Sequence, residues 1–189
     1  MHSAHTGENS DRISTLEAFA DTIVPGEKRS AGDRAIAGAA DGPGAVAAGA
    51  VELLGTPATG LSDALDDYVR SLNEHATAHA ARRGLRLDPG LPPFTALSYE
   101  DRTAVVAALV APGHPEHELW VLLTLFCNMA FDTGAHLHTT DALAAGHPGL
   151  TALGFAKPDA DGLWRFPRFS YRRPLARPHP DTAPSGSPA

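Results

Sequence analysis

The longest apolar run in the chain, from Leu119 to Phe131, is the feature that most constrains its fold. The run is too short to cross a lipid bilayer, which takes about 20 apolar residues, and Asn128 interrupts it. Helical winding would place apolar side chains on nearly every side of this segment. A helix of that kind needs neighbouring elements all around it. We therefore predict a helix from Pro115 to about His138 in the middle of a helical bundle.

Other segments also have the residue pattern of helices. Apolar residues recur in them at intervals of three and four, and residues that start or end helices lie at their borders. The charged, glycine-rich segment 27–44 is predicted to be a long ordered loop. These elements predict an all-α fold, an irregular bundle of about five to six helices. The additional helices are predicted from Ser10 or Asp11 to Pro25, from Pro43 to Gly55, from Ser62 to Gly84, from Ser98 to Pro112, and from Thr140 to Gly146.

The two ends of the chain differ from this helical part. Residues 1–10 are polar and are predicted to be a flexible N-terminus. Residues 11–176 form the predicted single helical domain, and residues 177–189 have the low-complexity composition of a disordered tail. From Pro148 onward aromatic residues alternate with prolines. We predict that this part forms a C-terminal extended aromatic strap, which lies over the helices.

The strap contains side chains of the types that are enriched at protein interfaces. Two interpretations stay open. The aromatic residues complete the core of a small domain, or the segment presents aromatic and arginine side chains to a partner protein. The candidate partner-binding residues are Trp164, Arg165, Phe169 and Tyr171.

Charge and cysteine content argue against several classes of function. The formal net charge is -7, and an acidic chain repels phosphate groups, so we expect no nucleic-acid partner. The single cysteine, Cys127, lies in the apolar run and is predicted to be a buried, inert thiol. Residues 1–11 lack the basic and apolar regions of a signal peptide, and no segment predicts membrane insertion. The expected location is therefore the cytoplasm.

Polar residues accompany the apolar run at helical spacing. Asn128, Asp132 and His136 are four residues apart, so a continuous helix would place them on one face, and His138 follows closely. One interpretation is an acid–base site in a pocket, with Asp132, His136 and His138 as catalytic candidates. The other interpretation, which we favour, is a buried hydrogen-bonded network that joins the last helix to the strap, because a buried carboxylate needs partners.

The chain has ten histidines, and some of them have the spacing of metal ligands. His75 and His79 are four residues apart on a predicted helix, and His136 and His138 are two apart. The sequence contains no His-Glu-x-x-His motif, no Glu-x-x-His pair repeated on two helices and no cysteine ligand set. We therefore predict no metal site, and these four histidines are the candidates should a metal bind.

The sequence contains none of the common motifs for binding nucleotides or cofactors. It lacks a Gly-x-Gly-x-x-Gly turn after a strand pattern, a phosphate-binding loop and a Gly-x-Ser-x-Gly nucleophile motif. We therefore expect that the chain binds no NAD, FAD or ATP of its own. Any redox cofactor would then belong to another protein.

Three segments, Leu16–Gly26, Gly42–Val51 and Leu97–Arg102, carry a family resemblance that extends over about residues 13–155. In these segments the chain resembles the gluconate 2-dehydrogenase subunit 3 family. Members of that family are small helical subunits that accompany a large FAD-dependent subunit of the glucose-methanol-choline oxidoreductase type. The segments Phe131–His136 and Asp161–Phe166 look closer to an actinobacterial branch, and the sequence shows no twin-arginine export signal.

The resemblance implies an accessory subunit that binds an FAD-dependent oxidoreductase and stabilises or modulates it, with the FAD on the partner. The alternative is a stand-alone enzyme of small-molecule, secondary metabolism, with an Asp/His acid–base site or a metal site in a helical pocket. An exposed apolar patch would favour the subunit. A closed apolar cavity that contains Asp132 or His136 would favour the enzyme.

Overall fold

The computed structural model describes residues 2–155, which contain eight α-helices and no β-strand. The all-α prediction is therefore confirmed, and five of these helices have seven residues or more. No helix in this part of the chain has the length and hydropathy that crossing a membrane requires. The helices are α1 (His2–Ile23), α2 (Ala50–Leu54), α3 (Leu65–Arg83), α4 (Pro93–Ala96), α5 (Tyr99–Leu109), α6 (His117–Asp132), α7 (Thr139–Ala145) and α8 (Pro148–Ala152).

Helix α1 occupies the middle of the bundle and contacts each of the helices α2 to α6. Its consecutive residues Ala18, Phe19 and Ala20 are all fully buried, so neighbours surround it on every side at this level. The ring of Phe19 lies 6.1 Å from that of Trp120 on α6 and 6.4 Å from that of Phe94 on α4. These three aromatic side chains, all without solvent exposure, form the centre of the core.

The prediction that the helix around residues 119–131 lies in the middle of the bundle is wrong. Helix α6 buries only one side, and that side faces the core through Trp120, Leu123, Cys127 and Ala130. Its other side remains accessible to solvent. The physical reason is that α1, with alanines on either side of Phe19, allows close approach of neighbouring backbones and takes the central position instead.

Several predicted helix starts are also wrong, whereas the predicted start at Ser98 is confirmed. Helix α1 begins at His2, so neither Ser10 nor Asp11 caps it, and the helix enters the segment predicted to be flexible. At α5 the hydroxyl of Ser98 accepts a hydrogen bond from the backbone N–H of Asp101 at 3.1 Å. The same hydroxyl donates to the Asp101 carboxylate at 2.6 Å. This side-chain cap, built from two residues three positions apart, explains why that start was predictable from sequence.

The starts of α2 and α3 lie later than predicted. Helix α2 begins at Ala50 rather than Pro43, after a series of turns. Helix α3 begins at Leu65, because Ser62 belongs to a short 3-10 turn that precedes it. Helices α2, α3 and α7 end at Gly55, Gly84 and Gly146, respectively. The sequence predicted these three ends, because glycine commonly follows the last residue of a helix.

Two buried charged side chains order the long loop between α1 and α2. The Asp21 carboxylate accepts hydrogen bonds from the N–H groups of Gly26 at 3.0 Å and Ala37 at 2.7 Å. From α5, the Arg102 guanidinium donates to the carbonyl oxygen of Ala35 and, at 2.7 Å, to that of Thr95. The prediction of an ordered loop is confirmed, because backbone groups of the loop satisfy charges that would otherwise be costly to bury.

Candidate functional site

The predicted polar stripe of Asn128, Asp132 and His136 does not exist as one helix face. Helix α6 ends at Asp132, and Gly134 follows in a left-handed conformation with φ of 59°. This turn carries His136 out of the helix, so the prediction that the helix continues to His138 is wrong. Asp132 is exposed, and the Asn128 side chain donates a hydrogen bond to the carbonyl oxygen of Thr124 within its own helix.

His136 contacts a different set of residues, which we name the His136 joint: Gly49, His136 and His147. The rings of His136 and His147 lie 5.8 Å apart. The His136 ring also lies directly over Gly49, whose missing side chain leaves the space that the ring occupies. The joint therefore connects the segment after α6 with the start of α2 and the start of α8.

Hydrogen bonds give His147 a structural role. Its Nε2 lies 3.0 Å from the carbonyl oxygen of Ala48, and its Nδ1 accepts a hydrogen bond from the N–H of Leu150 at 3.3 Å. A carbonyl oxygen can only accept, so the hydrogen of the ring must be on Nε2. Both nitrogens are thus occupied by backbone groups, which leaves neither free to act as a base.

The electrostatic environment of His136 favours its neutral form. Burial lowers the pKa of His136 and the neighbouring His147 lowers it further, while Glu52 acts in the opposite direction. Its Nδ1 is buried and has no hydrogen-bond partner among residues 2–155. His138 is exposed, with its Nδ1 2.5 Å from the Thr140 hydroxyl. Asp132, His136 and His138 therefore do not line one closed cavity, and their catalytic role stays a prediction.

The histidines predicted as a pair on α3 point to different partners. His79 lies 2.9 Å from the Asp101 carboxylate at the start of α5. Hydrogen bonds from Ser98 and His79 lower the pKa of Asp101. His75, one turn earlier, lies 2.9 Å from the Glu116 carboxylate at the start of α6. The pair therefore does not converge on one point.

The structure instead brings together His75, His114 and Glu116, a group that we name the His75 cluster. One potential ligand atom from each residue lies within 4.8 Å of the other two. The Trp120 indole N–H donates to the same Glu116 oxygen as His75, at 3.0 Å, and these two hydrogen bonds lower the pKa of Glu116. Sequence reasoning missed this cluster, because His75 and Glu116 are 41 residues apart and meet only where His75 of α3 contacts the start of α6.

A third feature is the solvent-facing side of α6, which we name the outer α6 face: Leu122, Leu125 and Met129. These side chains are 38%, 52% and 40% exposed, respectively. Their spacing of three and four residues places them on one side of the helix. The apolar run itself predicts that this face is apolar, whereas its exposure to solvent is not evident from the sequence.

The sequence-predicted partner-binding residues Trp164, Arg165, Phe169 and Tyr171 lie outside the described residues, as do the predicted strap beyond residue 155 and the predicted tail. Among the described residues, the outer α6 face offers an apolar surface on which a partner can be considered.

Comparison with known proteins places the chain in a family. The model of DUF5987, a family of unknown function, matches residues 10–189, and the chain belongs to that family. No curated protein and no solved structure matches it.

Proposed function

We propose that this DUF5987 chain is a small helical subunit that binds an FAD-dependent oxidoreductase of the glucose-methanol-choline type and stabilises or modulates it. The outer α6 face supplies the contact surface, and the partner holds the FAD and acts on a small molecule. The observation that carries the proposal is the exposure of Leu122, Leu125 and Met129 on one side of α6. The identity of the partner rests on the resemblance of residues 13–155 to the subunit 3 family.

The outer α6 face has the composition of an interface centre. Single exposed apolar residues are common on protein surfaces, whereas several on one side of a helix indicate a binding surface. Removal of apolar area from water stabilises an association by about 25 cal/mol per Å². Met129 adds an unbranched side chain that can adapt to the shape of a partner.

Carboxylates border the apolar residues at both ends. Glu118 precedes Leu122 by four residues and Asp132 follows Met129 by three, so both lie on the same side of the helix, and both are exposed. The two carboxylates are separated by 14 positions, or about 21 Å along the helix axis. An apolar centre with a polar rim is the usual arrangement of protein interfaces. We expect cationic side chains of the partner opposite Glu118 and Asp132.

The residues around the outer α6 face support binding rather than catalysis. Asp132, which the sequence offered as a catalytic candidate, is exposed at the rim of this surface. Cys127 on the opposite side of α6 is fully buried, and burial raises the pKa of its thiol to about 12. A thiol of that kind stays protonated and inert at neutral pH. In this proposal the redox chemistry takes place on the FAD of the partner.

Co-expression tests the proposal. The chain is produced together with an FAD-dependent oxidoreductase encoded beside its gene, and the complex is isolated by size-exclusion chromatography. We expect one stable complex that contains FAD and both chains. Leu125→Asp places a charge in the apolar centre and is expected to abolish the complex.

A matched control distinguishes the surface from a general charge effect. Ala108 is an exposed residue of α5, so Ala108→Asp adds the same charge elsewhere on the bundle. This variant is expected to form the complex as the unmodified chain does. Two soluble chains that elute separately, or a complex that tolerates Leu125→Asp, would contradict the proposal.

A further inference from the structure

We propose that His75, His114 and Glu116 bind a divalent transition-metal ion of the zinc class. Two imidazoles and one carboxylate are a common protein ligand set for zinc ions that keep an open position. Imidazole ligands also favour zinc-like ions over Mg²⁺ or Ca²⁺, which prefer sites made of oxygen atoms. The proposal concerns the start of α6 and does not depend on the outer α6 face.

The distances within the His75 cluster suit a metal after small side-chain movements. Bonds of about 2.0–2.1 Å in tetrahedral geometry separate the ligand atoms by about 3.3 Å. The His75 and Glu116 atoms are 2.9 Å apart, and all three potential ligand atoms lie within 4.8 Å of one another. Entry of an ion would widen the first distance slightly and place all three ligand atoms about 3.3 Å apart. The side chains of His75 and Glu116 are 34% and 39% exposed, which leaves them room to rotate.

The buried core holds two of the ligands in place. Trp120 is fully buried against Phe19, and its indole N–H donates to Glu116 at 3.0 Å. The ring of His75 packs edge-on against the same indole, with centroids 6.2 Å apart and planes at 83°. A hydrogen bond of this kind orients a metal-binding carboxylate. Trp120 is thus a positioning residue for both Glu116 and His75.

His75 must give up the hydrogen bond that its Nε2–H donates to Glu116, because that proton moves to Nδ1 when Nε2 binds the ion. His114 must also give up one hydrogen bond when a metal binds. Its Nδ1 now accepts from the N–H of Glu116 at 3.1 Å. If Nδ1 binds the ion, its lone pair is no longer free. If Nε2 binds the ion, the proton moves to Nδ1, which then cannot accept. Bonds to the ion replace these two hydrogen bonds and are the stronger interactions.

The site is open to solvent on one side. An open cleft of about 450 Å³ is lined by residues 113–119, which include His114 and Glu116. An ion held by the His75 cluster would therefore keep at least one position for water or a small ligand. This arrangement is typical of a metal that is accessible, unlike the closed four-ligand sites that only stabilise a fold.

Zinc titration of the tag-free, chelator-treated chain tests the proposal. We expect saturable binding of one Zn²⁺ per chain in calorimetry, and a visible d–d absorption when Co²⁺ replaces zinc. His75→Ala and Glu116→Gln should each weaken zinc binding at least tenfold and remove the cobalt absorption. Glu116→Gln keeps an oxygen that can accept from Trp120, so the fold is expected to survive, as circular dichroism can verify.

His79 provides the matched control. It lies one turn from His75 on α3 and makes an equivalent 2.9 Å contact with a carboxylate, that of Asp101, but it is not part of the cluster. His79→Ala should therefore leave zinc affinity unchanged. Absence of saturable binding, or equal losses in the His75→Ala and His79→Ala variants, would overturn the proposal.

Discussion

Gly49 determines how His136 packs at the joint. The residue has φ of 85°, a conformation that L side chains rarely adopt, and a Cβ atom there would overlap the His136 ring. Gly49→Ala should therefore destabilise the fold by more than the roughly 1–2 kcal/mol that a left-handed alanine costs. The free energy of unfolding in a denaturant titration measures the loss.

Gly60→Ala separates the cost of the left-handed backbone at Gly49 from the cost of overlap with the His136 ring. Gly60 has φ of 72°, but no atom lies within 4 Å of the position of its Cβ. This variant should show the backbone cost alone. Equal losses in the two variants would mean that the His136 ring does not occupy the space over Gly49.

The half-buried ring of His136 should make folding sensitive to acid. Burial lowers the pKa of His136 in the folded chain, whereas the unfolded chain has an ordinary value near 6.5. As the pH falls through that value, the unfolded state binds the proton first, so stability decreases. His136→Gln should lose less stability than the unmodified chain between about pH 7.5 and about pH 5.5.

The measurement is the free energy of unfolding at both pH values, with His138→Gln, which alters an exposed ring, for comparison. The change in pH dependence should be larger for His136→Gln than for His138→Gln. The reverse order would show that the His136 ring is solvated in the folded protein.

At the scale of a helix, α6 combines a core-facing side with an apolar side in solvent. Leu123 is 1% exposed and Leu125 is 52% exposed, although both are leucines of the same helix. Leu123→Ala should cost about 2–5 kcal/mol because it leaves a cavity beside the core. Leu125→Ala should change stability by no more than about 0.5 kcal/mol. Similar losses for both variants in chemical denaturation would show that the outer α6 face is packed in the isolated chain.

Helix bodies were easier to predict than helix ends, for a physical reason. The body of a helix depends on many residues at regular spacing, as in α3 and α6. A start depends on one cap, and only Ser98, with Asp101 three residues on, had both partners of the cap in the local sequence. Where Ser62 was expected to cap α3, a 3-10 turn comes first. The early end of α6 is not evident from the sequence, because an isolated glycine such as Gly134 is compatible with a continuing helix.

At the scale of the whole molecule, the class of fold was predictable, but the arrangement of the helices was not. Apolar periodicity indicates which side of a helix is buried, but it does not indicate which helix lies in the middle of the bundle. Helix α1 took that position because Ala18 and Ala20 let other helices approach closely. The outer α6 face is exposed because α1, and not α6, lies in the middle of the bundle.

The contacts within the candidate sites also depend on tertiary packing, which local sequence patterns do not show. The His75 cluster joins α3 to the start of α6, and the His136 joint connects residues 99 positions apart through the contact of His147 with Ala48. Local spacing singled out His75, His79, His136 and His138, but it did not indicate that His75 and His79 contact different carboxylates, which depends on tertiary packing. Glu116 had no local signal that distinguished it from an ordinary polar residue near a helix start.

The central claim is that the outer α6 face contacts the FAD-carrying partner, and photo-crosslinking at single positions tests it most directly. A photoreactive residue in place of Leu125 should crosslink the chain to the flavoprotein after co-expression, and the same residue in place of Ala108 should not. If position 108 crosslinks and position 125 does not, the outer α6 face is not the contact surface and the account is wrong.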